Sequence, residues 1–144
     1  MLSIIIPVFN EINTVEKIID KIHSVNLNKI EIIVVDDAST DGTRQLIINK
    51  LENKVNKVIL HEKNKGKGAA IQSAKKFITG DYVIIQDADL EYDPSDYPNL
   101  LEPLKRNLTN VVYGSRVLGK KRYYNNNFSS NVRVFFNHML TILS

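Results

Sequence analysis

The chain has 144 residues, 43% hydrophobic and 24% charged, with a formal net charge of +3. That length fits one domain with a continuous core, and the balance of apolar and charged residues excludes a disordered chain. The absence of cysteine excludes disulfides and thiolate metal sites, so any metal must be held by oxygen or imidazole; a charge this mild names no partner, and no nucleic-acid partner is expected.

The first apolar run, Leu2–Val8, has neither a basic leader nor a small-residue cleavage site, so it reads as a strand rather than a secretion signal. Glu11–Val25 carries Val15, Ile18, Ile19 and Ile22 on one face and predicts a helix. A strand is then expected over Ile30–Val35, a helix over Thr40–Leu51, a strand over Val55–Leu60 and a helix over Gly66–Phe77. Tyr82–Gln86 reads as a fourth strand, Pro94–Lys105 as a shorter helix and Asn110–Tyr113 as a fifth strand. This alternation predicts an α/β fold with a mostly parallel sheet, helices on both faces and right-handed crossovers. The basic and polar stretch from Lys120 to Asn127 then separates the sheet unit, residues 1–119, from a last segment of the same domain, residues 120–144. From Phe128 to Ser144 a stripe of Phe128, Val132, Phe135, Phe136, Met139, Leu140 and Leu143 predicts an amphipathic helix, which needs cover from the sheet, from further residues or from a lipid interface. Its pattern reaches the last residue uncapped, so the chain reads as truncated. No apolar run is long enough to span a bilayer.

In an open parallel sheet, ligands bind beyond the carboxyl ends of the strands. Those positions are acidic: Pro7-Val8-Phe9-Asn10-Glu11 after the first strand, Asp36-Asp37-Ala38-Ser39-Thr40-Asp41-Gly42-Thr43 after the second, and Asp87-Ala88-Asp89-Leu90-Glu91-Tyr92-Asp93-Pro94 after the fourth. Carboxylates converging on one rim repel unless a cation neutralises them, and Mg2+ or Mn2+ suits oxygen ligands. In an extended segment Asp87 and Asp89 point the same way and reach one metal. An isolated Asp-x-Asp is usually a turn or a cap; here the pair follows a buried strand and faces other acids. Asp37 is placed to accept the ring N–H of a base, and Ser39 or Thr40 to cap the next helix. Asn64-Lys65-Gly66-Lys67-Gly68-Ala69 offers backbone N–H groups and ammonium charge to phosphate, while its glycines equally suit close helix packing.

In order and approximate spacing, these segments together with Gly114-Ser115-Arg116 resemble the family 2 glycosyltransferases of the GT-A fold, and within them the dolichyl- or polyprenyl-phosphate branch typified by dolichol-phosphate mannose synthase. The resemblance implies a Rossmann-like GT-A domain that binds a nucleotide-diphosphate sugar of GDP-mannose or UDP-glucose type. It implies that Pro7, Phe9 and Glu11 contact the nucleoside, Val35 and Asp37 the base, and Asp87, Ala88 and Asp89 the diphosphate and its metal. Glu91 matches a further metal ligand and Arg116 a phosphate contact. Phe9 stands where tyrosine is common, which keeps a stacking face and removes a hydroxyl. Asp87, Asp89 and Arg116 would carry catalysis, with Mg2+ or Mn2+ as cofactor and polyprenyl or dolichyl phosphate as acceptor. The branch also implies a peripheral position at the cytoplasmic face of a membrane, with a membrane subunit or a C-terminal transmembrane region as partner; Lys120, Lys121 and Arg122 would suit anionic lipid or a solvated loop.

An acceptor phosphate is anionic near neutral pH and needs little general-base help, whereas a hydroxyl acceptor on a glycan would demand a carboxylate base. Two other classes fit less well. A nicotinamide dehydrogenase needs Gly-x-Gly-x-x-Gly after the first strand, where Pro7-Val8-Phe9-Asn10 stands. A phospho-accepting receiver would place its acid pair after the first strand, and it leaves Asp87 and Asp89 unexplained.

Overall fold

The structure, a computed structural model, describes residues 1–114. Four strands, β1 (Leu2–Val8), β2 (Ile30–Asp36), β3 (Lys57–Leu60) and β4 (Tyr82–Ile85), lie parallel in the order β3-β2-β1-β4. Isoleucine and valine dominate β1 and β2 because these central strands are buried on both faces, where β-branched side chains pack well. One face carries Leu2, Ile4, Ile6, Val8, Ile32 and Val34. Against it pack Val15, Ile18, Ile19 and Ile22 of α1 (Val15–Ser24), Ile47 and Leu51 beyond α2 (Thr43–Leu46), and Tyr97 and Leu101 of α4 (Tyr97–Lys105). The other face carries Ile5, Ile33 and Val35 under Ala70 and Ala74 of α3 (Lys67–Ala74). Alanines at i and i+4 let α3 lie close to the sheet.

Pro7 stands in a central strand, which normally excludes proline. Backbone parity explains it. The Ile5 carbonyl accepts from Gln86 on the β4 side, and Pro7 shares that orientation, but β4 pairing stops at Ile5. The missing Pro7 N–H therefore leaves no ladder bond unmade, and β1 outruns β4 at its carboxyl end.

Several boundaries differ from expectation. Glu11–Thr14 forms a turn rather than helix, with the Glu11 carbonyl accepting from Thr14 and Val15 and the Thr14 hydroxyl donating to the Glu11 carboxylate. The second helix starts at Thr43, not Thr40, and passes through a π turn, Ile47–Leu51. β3 starts at Lys57 because Asn56 closes the approach itself, donating its N–H to the Ile32 carbonyl and accepting the Ile32 N–H on its side chain. A 3₁₀ turn, Pro94–Asp96, precedes α4, as proline at a first turn favours. The fifth strand expected over Asn110–Tyr113 does not form: residues 110–114 have no strand pairing, and Tyr113 is 89% exposed. Residues Met1–Asn110 form one compact unit. The expected boundary at residue 119, the basic linker and the amphipathic helix lie outside the described residues.

Candidate functional site

Strand order reverses between β1 and β4, and a cleft of about 400 Å³ opens there at the carboxyl ends of the strands, the position where open α/β sheets bind ligands. Its wall takes Pro7, Phe9 and Glu11 from the end of β1, Asp37 from β2, Asn64, Gly66 and Lys67 from the β3–α3 connection, and Asp87, Ala88 and Asp89 from the end of β4. That volume lies within the range of small-molecule sites. Phe9, which lines the cleft, is 46% exposed.

The loops after β1 and β2 are laced together. Asn10 donates its N–H to the Ser39 hydroxyl at 2.9 Å and accepts the Thr40 N–H at 2.8 Å, while Glu11 N–H reaches the Thr43 hydroxyl and Ile12 N–H reaches Asp41. Ser39 and Thr40 are thus cross-loop ties, not the expected helix caps. Asp41 instead accepts the Thr43 N–H, and Gly42, the residue just before α2, supplies a φ of 99°. Asn10, Ala38 and Leu90, one after each of β1, β2 and β4, are left-handed non-glycine residues. Each such kink costs about 1–2 kcal/mol, and strain of this kind gathers at ligand sites.

Asp37, 3% exposed, accepts His61 Nδ1–H at 2.6 Å and the backbone N–H groups of Lys65 and Gly66. Because the carboxylate only accepts, His61 donates from Nδ1, and its Nε2 is hydrogen-bonded to the Ser73 hydroxyl at 2.9 Å. Burial by itself raises the Asp37 pKa, but the bonds from His61, Lys65 and Gly66 outweigh it and hold the carboxyl below its usual value. Asp37 therefore anchors the β3–α3 loop. Gly66 has a φ of 84°, so backbone conformation accounts for glycine there, and neither Gly66 nor Gly68 has a neighbour near its missing Cβ, so close helix packing accounts for neither. Beside it the fully buried Asp36 receives Arg44 Nε at 2.7 Å, and a second Arg44 nitrogen donates to the His61 carbonyl.

The Asp87–Asp89 stretch is not extended as expected; it turns at Ala88 and Asp89. Gln86 holds it from beneath. Buried with Tyr97, it accepts the Tyr97 hydroxyl at 2.7 Å and donates to the carbonyls of Asp87 and Tyr92. Burial pushes the Tyr97 hydroxyl pKa well up, so it remains a proton donor. Asp89 accepts the Glu91 N–H, and Asp87 is paired with Lys67. Among the described residues no three His, Asp or Glu side chains gather into a metal cage. Two acids on one open cleft do fit a hard cation that takes its remaining ligands from phosphate and water, the usual habit of Mg2+.

The structure thus brings Pro7, Phe9, Glu11, Asp37, Asp87, Ala88 and Asp89 to one cleft. It does not bring Val35 there: its side chain is fully buried against Ala70 and Ala74, so it offers no face to a base. Glu91 is not among the residues lining the cleft, and among the described residues no three-acid group forms. Arg116 lies outside the described residues. Sequence reasoning missed His61, Arg44 and Gln86. Gln86, a polar residue closing the apolar run Tyr82–Ile85, was the one readable signal among them.

Fold and rim together define an α/β ligand-binding domain with its site at the switch point of a parallel sheet. The chain belongs to glycosyl transferase family 2, whose profile matches residues 3–143. It is 36% identical to the dolichol-phosphate mannosyltransferase of Pyrococcus furiosus over 79% of this chain and 32% of that protein. It is 28% identical to the dodecaprenyl-phosphate galacturonate synthase of Rhizobium johnstonii, over 80% of this chain and 36% of that one. A mannosyltransferase from Pyrobaculum calidifontis, solved in complex with GDP-Man and Mn2+, superposes with a TM-score of 0.59 at 31% identity, covering 66% of this chain and 29% of its own. This chain spans about a third of the length of each.

Proposed function

We propose that this chain is the donor-binding portion of an inverting, metal-dependent glycosyltransferase that moves a sugar from a nucleotide diphosphate onto a polyprenyl or dolichyl phosphate. The observation that carries the reading is the meeting of Asp87, Asp89, Lys67 and the exposed Phe9 ring on one cleft at the strand ends. Phe9 offers a stacking face to the base, and Asp37 fixes the loop that flanks it. Asp87 and Asp89 would hold Mg2+ or Mn2+, which when bound supplies charge neutralisation for the departing diphosphate. Lys67 adds an ammonium on the same side, and Arg116, by its place in the motif order, would grip a phosphate through its fork of donors.

An oxygen of the acceptor phosphate attacks the sugar C1 from the face opposite the diphosphate. The new C1–O bond forms as the old one breaks, and its electron pair leaves on the diphosphate. No general base is required of the chain, because that acceptor is already anionic. The lipid acceptor rests on the two curated relatives named for polyprenyl-type phosphates. Among the described residues no helix is long and apolar enough to cross a membrane. Peripheral association at the cytoplasmic face, through Lys120, Lys121, Arg122 and residues 128–144, or through a membrane partner, belongs to the same proposal.

Calorimetric titration of the protein with GDP-mannose and UDP-glucose, with and without Mn2+, tests the reading. One of them should bind in a metal-dependent manner and transfer its sugar to polyprenyl phosphate in vesicles. No uptake of either with Mn2+ present overturns it.

A further inference from the structure

Lys67 does something that donor binding does not require of it. Its Nζ lies 2.6 Å from one carboxylate oxygen of Asp87 and 2.8 Å from the other. The ammonium therefore sits astride the lone pairs that a divalent cation would need. We propose that Lys67 is an internal counter-ion for Asp87, which holds free divalent metal off the protein and releases the carboxylate only when the metal arrives with a nucleotide diphosphate, whose phosphates then receive the ammonium. The inference rests on the donor-site reading above and concerns how that site is loaded.

Three observations support it. Among the described residues the acids at the cleft form no three-carboxylate cage, so neutralising one of the pair leaves little charge to attract a bare ion. Lys67 is the first residue of α3, and Gly66 just before it is pinned to Asp37 by its N–H at 2.7 Å. The side chain thus pivots from a fixed backbone point on a flexible four-carbon stem. Finally, the pair is open to water, with Lys67 56% and Asp87 26% exposed, and an ion pair of that kind is weak enough to be exchanged. A buried pair would resist the exchange.

Binding of Mn2+ followed by the electron paramagnetic resonance of the free ion, with and without GDP or UDP, tests the proposal on the full-length protein. Lys67→Met should raise the affinity for Mn2+ without nucleotide by about fivefold, the upper range for an exposed pair, and should reduce the gain that nucleotide brings. Lys67→Gln should do the same, and Lys67→Arg should keep the wild-type behaviour. Lys63→Met removes the same unit charge from a neighbouring exposed lysine and should leave Mn2+ affinity unchanged. Unchanged or weaker Mn2+ binding in both Lys67→Met and Lys67→Gln, or an equal rise in Lys63→Met, overturns the counter-ion role while leaving the donor site intact. Failure of the wild type to take up Mn2+ even with GDP or UDP overturns the donor site itself, and this role with it.

Discussion

Replacing Arg44 by Met probes the device that holds the second acidic loop. Asp36 is wholly buried, and Arg44 neutralises it at 2.7 Å while reaching the His61 carbonyl with a second nitrogen. The Asp36 carboxylate also accepts the Ser39 N–H, at 3.3 Å and 3.4 Å to its two oxygens. Removing one partner of a buried pair strands the other charge and costs about 3–5 kcal/mol. The Arg44 side chain is a quarter exposed, so water relieves part of this, and the lower end, about 3 kcal/mol, is expected. That is a large share of the roughly 5–15 kcal/mol that holds a domain together, and for a chain of this length it lowers the melting temperature by about 10 °C. Urea denaturation followed by circular dichroism should show a lower midpoint with an unchanged slope. The double variant Asp36→Asn/Arg44→Met should recover part of the loss, since no stranded charge remains. A loss below about 1 kcal/mol in the single variant would mean that Asp36 finds water or another partner, and the reasoning would fail.

Three further outcomes follow from other parts of the molecule. Gly80→Ala places a Cβ 2.6 Å from the Ser3 hydroxyl and 2.8 Å from the Met1 carbonyl, against backbone that cannot yield, so it should destabilise by about 1–3 kcal/mol in the same urea assay. Asp37 has a folded-state pKa below its unfolded value, so its contribution is complete above about pH 4 and is lost as pH falls through the lower folded value; the stability gap between wild type and Asp37→Asn should narrow in acid, and a gap that widens refutes the assignment. Asp89→Ala removes an exposed side chain that supports no core contact, so the protein should melt as wild type while metal-dependent transfer falls by at least about a hundredfold. Unchanged turnover would remove Asp89 from the mechanism.

Strand identity was legible because β1 and β2 are runs of Ile and Val that only a doubly covered sheet accommodates. The acidic rim was legible for the same reason: polar residues begin where those runs stop. Boundaries were less so, since Asn56 and Glu11 close their turns with side-chain and carbonyl bonds that no periodicity records. His61 and Arg44 escaped notice because they act on Asp37 and Asp36 from 24 and 8 positions away: the β2–β3 register brings His61 beside Asp37, and the loop after β2 returns Arg44 to Asp36. The burial of the Val35 side chain was also legible. Its period-2 parity matches Ile33, which puts it beneath α3 rather than on the rim.

The cross-stitching of the loops after β1 and β2 bears on any attempt to redesign this protein. Asn10 and Glu11 donate backbone N–H groups to the Ser39 and Thr43 hydroxyls, and the Asn10 side-chain oxygen accepts the Thr40 N–H, so neither loop can be exchanged while the other keeps its shape. A graft of one hairpin-sized segment from a relative would arrive without its counterpart's hydroxyls and would sag. Altering which donor the cleft accepts therefore calls for transplanting residues 9–12 and 38–43 as a matched set.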